Sequence, residues 1–156
     1  MKFDWKETVI MTDDKLTKGL PARIILETTI VQEGEVFKHS FDEMGRIVLM
    51  NDNYYIRFEE NQGEEKNSTL IKLQSDGIVN LTRHGQNKTR MTFNDQEDTF
   101  TNYATPTGIM PLRVETNHLK MGYTNQPFAG EVEVDYAIYL EDYPLGTYQL
   151  RLRFTT

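Results

Sequence analysis

Residues 131–140 read Glu-Val-Glu-Val-Asp-Tyr-Ala-Ile-Tyr-Leu, and residues 147–155 read Thr-Tyr-Gln-Leu-Arg-Leu-Arg-Phe-Thr. In the first stretch Val132, Val134, Tyr136, Ile138 and Leu140 face one way, and Glu131, Glu133, Asp135 and Tyr139 the other. In the second, Tyr148, Leu150, Leu152 and Phe154 alternate with Gln149, Arg151 and Arg153. A period of two puts successive side chains on opposite faces of a pleated strand, so each stretch predicts a strand with one buried face and one wet one. The acidic row on the wet side of the first stretch reads as a solvated face rather than a metal cluster or docking strip.

Working outward, the same alternation recurs along the chain. It yields the inner sets Ile24, Leu26, Thr28 and Ile30; Phe37, His39 and Phe41; Tyr54, Ile56 and Phe58; Thr69, Ile71 and Leu73. Val79, Leu81 and Arg83, then Met91 and Phe93, then Leu112, Val114, Thr116 and His118 complete the series. Gly34, Gly77 and Gly108, together with Gly45, Gly122, Gly130 and Gly146, fall between the apolar-patterned segments and read as turn markers, so none is expected inside a strand. Composition agrees with this reading. The chain carries 18 threonines against 4 alanines, a ratio that favours half-buried pleated surfaces over helices.

Its 156 residues suit one domain with a core of its own. Sequential strands joined by hairpin-sized connections predict an all-β fold, a closed antiparallel up-and-down barrel of about eight to ten strands occupying residues 21–156. Closure of this kind removes exposed edges. Residues 1–20 lack the alternation and are expected to form an N-terminal arm or short helix that covers the domain.

Charge and composition exclude several classes. A net charge of −7 argues against a nucleic-acid binder or an anionic membrane surface as partner. The absence of cysteine removes disulfides, thiolate nucleophiles and Cys-based metal sites. No apolar run is long enough for a membrane helix, and residues 1–15 lack a signal-peptide core, so a cytoplasmic location is expected. Ser40, Ser68 and Ser75 lie in no nucleophile elbow, and the three histidines have no metal-ligand spacing. No cofactor is expected, no protein partner can be named, and an enzyme ranks third among the possible functions.

The motifs also carry a resemblance. Tyr54-Tyr55-Ile56-Arg57-Phe58-Glu59-Glu60, Thr69-Leu70-Ile71-Lys72-Leu73, Arg83-His84-Gly85, Arg90-Met91-Thr92-Phe93, Tyr103 through Gly108 and Gly130 through Leu140 follow one another in an order that resembles the YwiB-type family of uncharacterised bacterial proteins. The likeness covers residues 22–156. It implies a calycin-like, that is lipocalin-like, barrel, and no activity. The Gly-x-Trp signature of the lipocalins is missing, since Trp5 has no glycine nearby, and no pair of lid helices follows the first strand. No ligand class can therefore be carried over.

Strand direction points to one rim. If residues 53–60 run up, 67–74 down, 77–83 up, 88–94 down and 98–104 up, then Glu60, Arg83 and the turn after Tyr103 arrive together. Parity turns Glu60 and Arg83 inward. Tyr148 joins them at that rim, with Tyr136 lower on the wall. An arginine, a carboxylate and phenols on an apolar wall are the makings of a small-molecule site, in which the guanidinium could grip a carboxylate or phosphate. The expected function is binding of a small, partly apolar ligand through Arg83, Glu60, Tyr103, Tyr136 and Tyr148. The alternative is a ligand-free protein-interaction or regulatory module, with Glu60 and Arg83 joined as a structural ion pair that closes the barrel. A basic stretch, Lys66, Lys72, Arg83, Lys88 and Arg90 against Asp76 alone, adds a possible dock for an acidic partner.

Overall fold

Ten antiparallel strands form one sheet in the computed structural model, which describes residues 15–62, 65–85 and 88–156. The strands are β1 (Leu20–Gln32), β2 (Glu35–Met50), β3 (Asn53–Gln62), β4 (Glu65–Leu73), β5 (Val79–His84), β6 (Lys88–Phe93), β7 (Thr99–Thr105), β8 (Gly108–Thr124), β9 (Ala129–Leu140) and β10 (Tyr143–Thr155). Their order across the sheet is β6-β5-β4-β3-β2-β1-β10-β9-β8-β7. Neighbours in sequence are thus neighbours in space, and β1 meets β10 through pairs such as Ile24 with Phe154.

The sheet curls into a nearly closed barrel whose two edge strands, β6 and β7, come together at a seam. No main-chain ladder joins them. Instead the Thr99 and Thr101 hydroxyls of β7 donate to the carbonyls of Thr92 and Arg90 on β6. Side-chain hydroxyls stand in for ladder bonds and satisfy carbonyls that an open edge would leave bare.

The alternation read from the sequence places the core correctly in most strands. Ile24, Leu26, Ile56, Phe58, Ile71, Leu73, Phe93, Val132, Val134, Leu150, Leu152 and Phe154 are all buried. One inner set needs correction. A bulge in β8 between Thr116 and His118 inserts Asn117 and flips the parity beyond it. His118 consequently faces solvent and meets Glu133 at 3.2 Å, while Tyr123 turns in.

The glycine punctuation also needs correction, because Gly45, Gly122, Gly130 and Gly146 lie inside strands. At two of them the reason is steric. A Cβ on Gly45 would sit 2.4 Å from the Arg57 carbonyl oxygen, and one on Gly130 would sit 2.5 Å from the Phe154 ring. These are points of close approach, which a period-two pattern cannot distinguish from turns.

The barrel is filled unevenly along its axis. At the end where β1 begins, Tyr54, Tyr123, Phe128 and Phe154 form a ring cluster with centroids 5.0 to 6.3 Å apart. Residues 15–18 add one helical turn at this end, and Leu16 is fully buried. This turn falls within the expected arm, of which residues 1–14 lie outside the described residues. The opposite end, where the β1–β2 and β9–β10 turns lie, is where the interior opens.

Candidate functional site

The upper wall is incomplete on one side. β1 and β2 pair along their full lengths, from Leu20 with Ile47 to Gln32 with Glu35. The ladder between β2 and β3 is far shorter, running from Arg46 with Arg57 to Met50 with Asn53. Above it, residues 35–45 pair only with β1 among the described residues. The two strands diverge past Phe41 and Phe58, whose rings are 4.8 Å apart.

A recess of about 410 Å3 occupies the interior beside this split. Thr28, Ile30 and His39 bound it on the β1–β2 side; Glu60, Asn67, Leu81 and Arg83 bound it on the β3–β5 side. Tyr136, Ile138, Tyr148 and Leu150 form its back wall. A second recess of about 570 Å3 lies nearer the rim, lined by Gln32, Phe37, Tyr103, Met110, Leu112 and Leu145 among others. Met91, Ile138 and Tyr148 border both, so the two adjoin.

The structure brings four of the five expected residues to the first recess. Glu60, Arg83, Tyr136 and Tyr148 line it, while Tyr103 lies in the second recess, where Tyr148 is its link to the others. Tyr136, expected lower on the wall, is instead the direct cross-strand partner of Tyr148. Their rings stack at 4.9 Å and 6°. Phe93 packs against Tyr136 at 4.5 Å, so Tyr136 is held between two rings. Burial pushes the Tyr136 phenol well above its ordinary range, and the nearby Tyr148 phenol adds to this. The Arg83 guanidinium pulls the other way. Tyr148 accepts a hydrogen bond from the Gln32 side-chain amide at 2.9 Å.

The polar pair in the recess is poorly matched. Arg83 Nη2 lies 3.8 Å from Glu60 Oε1, an ion-pair distance too long for a hydrogen bond. Glu60 is only 6% exposed, whereas the Arg83 side chain is 40% exposed. Both Glu60 Oε1 and Arg83 Nε are buried without a hydrogen-bond partner, as are the Thr28 and Thr69 hydroxyl oxygens close by. Register explains the clustering: Thr69 pairs with Arg83 in one ladder and with Phe58 in the other, two residues from Glu60.

Sequence reasoning misses three contributors to this site. Alternation turns His39 inward without giving it a role, and Thr28 and Asn67 carry no signal beyond parity. The basic stretch proves divided, since Arg83 points in while Arg90 lies on the outer face with Thr82 and Asn80. On the outer face of β9, Glu133 and Asp135 engage Arg151 at 3.7 and 2.8 Å. Among the described residues no group of three or more His, Asp or Glu could hold a metal, and no helix is long and apolar enough to cross a membrane.

The barrel matches known proteins in fold and family. The sequence profile of a domain of unknown function, DUF1934, matches residues 24–152, and the chain belongs to that family. The crystal structure of the ywiB protein from Bacillus subtilis is similar, with a TM-score of 0.75 at 17% sequence identity, over 92% of this chain and 96% of that one. At that identity the likeness shows a shared fold, in line with the resemblance read from the motifs. No curated protein matches the sequence.

Proposed function

We propose that this DUF1934 barrel is a calycin-like binding protein that takes up a small, partly apolar molecule in the upper half of its interior. The observation that carries this reading is that Glu60 and Arg83, two residues lining a recess of about 410 Å3, keep a buried Oε1 and a buried Nε without hydrogen-bond partners. A clasp evolved only to close the barrel would satisfy both atoms, because each unsatisfied buried polar group costs about 1–3 kcal/mol. Apolar walls with a few convergent polar groups are the usual make-up of a small-molecule pocket, and about 300–1,000 Å3 is its usual size. Arg83, Glu60, Tyr136 and Tyr148 would fix the polar end of the ligand, and the recess bordered by Tyr103 would take what extends toward the rim.

The test is stabilisation by ligand. A compound that binds only the folded form adds RT ln(1 + [L]/Kd), about 2.7 kcal/mol at a hundredfold excess over Kd. Thermal unfolding is monitored with dodecanoate, haem, adenosine monophosphate, glucose 6-phosphate and uracil, alongside mass spectrometry of an organic extract of the purified protein. At least one compound should raise Tm, and Met91→Trp, which fills the space shared by both recesses, should abolish the rise. An empty extract and no shift with any compound would overturn the reading.

A second reading, a protein-interaction module, is favoured by one observation. The free upper part of β2 carries exposed Val36 (61%), Met44 (62%) and Phe37. Stable co-purification of another chain, lost in Val36→Lys/Met44→Lys, would support it.

A further inference from the structure

We infer that the ligand is an electrically neutral, planar heterocycle with an N–H donor beside a carbonyl acceptor, the edge found in cyclic amides and nucleobases. This rests on the interior-binding reading above and sharpens it.

Charge sets the first condition. Among the described residues, Glu60 and Arg83 are the only Asp, Glu, Lys or Arg residues lining the first recess, with His39 the remaining basic side chain. Their charges offset each other. A ligand carboxylate or phosphate laid on Arg83 would also face Glu60, which is 6% exposed and poorly screened by water. A ligand ammonium on Glu60 would face the Arg83 guanidinium in the same way. A neutral molecule avoids both penalties. This departs from the carboxylate or phosphate that the guanidinium alone suggests.

Hydrogen bonding sets the second condition. Glu60 Oε1 is an acceptor without a donor, and Arg83 Nε–H is a donor without an acceptor. The two side chains lie side by side, 3.8 Å apart at their nearest charged atoms. One molecule satisfies both if it offers a donor and an acceptor on neighbouring atoms. An amide N–H next to its C=O does so when ring closure holds the two on one edge.

Shape sets the third condition. Tyr136 has Phe93 on one side and Tyr148 on the other. Tyr148, by contrast, has Tyr136 as its only ring partner among the described residues and borders both recesses. A flat ring can extend the stack on the open face of Tyr148, against the aliphatic surfaces of Leu81, Met91 and Leu150.

The experiment titrates the intact protein calorimetrically with uracil, hypoxanthine and 2-pyridone. 1,3-Dimethyluracil, flat and neutral but without N–H, and dodecanoate serve as contrasts. At least one of the three heterocycles should bind, 1,3-dimethyluracil should bind about tenfold or more weakly, and Glu60→Leu should remove the difference between uracil and its dimethyl analogue. If none of the three heterocycles binds, or if dodecanoate or 1,3-dimethyluracil binds as tightly, the inferred class is wrong. Binding of dodecanoate that Met91→Trp abolishes would then leave interior binding standing. No binding by any probe, with an empty organic extract, would remove both.

Discussion

Replacing Glu60 by leucine should make the unliganded protein more stable. The carboxylate is 6% exposed, its Oε1 accepts no hydrogen bond, and its only counter-charge among the described residues, Arg83 Nη2, stands 3.8 Å away. Leaving such an oxygen unsatisfied costs about 1–3 kcal/mol in the folded state, and that cost disappears with the carboxylate. Arg83 loses its partner, but its side chain is 40% exposed, so it forfeits little. The expected net gain is therefore about 1–3 kcal/mol. For a chain of this length that is about 2–4 °C in Tm per kcal/mol, or roughly 2 to 12 °C in all. Urea unfolding monitored by circular dichroism measures the change, and Glu60→Gln, neutral but similar in shape, separates charge from volume. Breaking a well-formed buried ion pair would have the opposite sign, a loss of about 3–5 kcal/mol. A loss of that size would mean the pair is a structural clasp, and would take away the main warrant for a ligand at this position.

Other consequences can be measured independently. Phe93→Ala removes a fully buried ring that supports Tyr136, and should cost about 3–5 kcal/mol in urea unfolding. Gly45→Ala drives a methyl group toward the Arg57 carbonyl oxygen and the Ile24 side chain, and should lower stability by about 1–3 kcal/mol. The double variant Thr99→Val/Thr101→Val deletes the seam bonds at about 0.5–1.5 kcal/mol each; amide exchange should quicken in β6 and β7 and stay unchanged at the β1–β10 junction. Alkaline titration should show a matching pattern. Burial raises the phenols of Tyr54, Tyr123 and Tyr136 above their ordinary value of 10.0, so the folded state keeps protons that the unfolded state gives up. Their stabilising contribution is complete below pH 10 and declines above it, by up to about 1.4 kcal/mol per pH unit for each tyrosine. Ionisation of more than five of the eight tyrosines before unfolding would refute the assignment.

The strands are legible because burial on one face imposes a period of two, and β10 shows it without interruption from Tyr148 to Phe154. Parity also suffices to turn Glu60 and Arg83 inward, and strand direction to bring them to one rim. What escapes are features that depend on contacts between strands. The extra residue at Asn117 leaves no local mark, so simple alternation puts His118 on the wrong face. Gly45 and Gly130 look like turn residues until the Arg57 backbone and the Phe154 ring are seen against them. The position of the seam, and the early end of the β2–β3 ladder at Arg46, depend on how the whole sheet curls. For the same reason Tyr103 and Arg83, which share a rim, line different recesses.

The pairing of β1 with β10 has a consequence for biosynthesis. The partners Ile24 and Phe154 are more than a hundred residues apart, yet they lie in the interior of the sheet rather than at its seam. On the ribosome, β1 to β6 can assemble as one hairpin series while the edge of β1 waits for a strand not yet made. Closing so long a loop is slow, and an unpaired apolar edge invites other chains in the meantime. The junction completed last is thus the one that most needs guarding, and a nascent chain stalled before β10 would present that edge, Arg23 to Val31, as its point of aggregation.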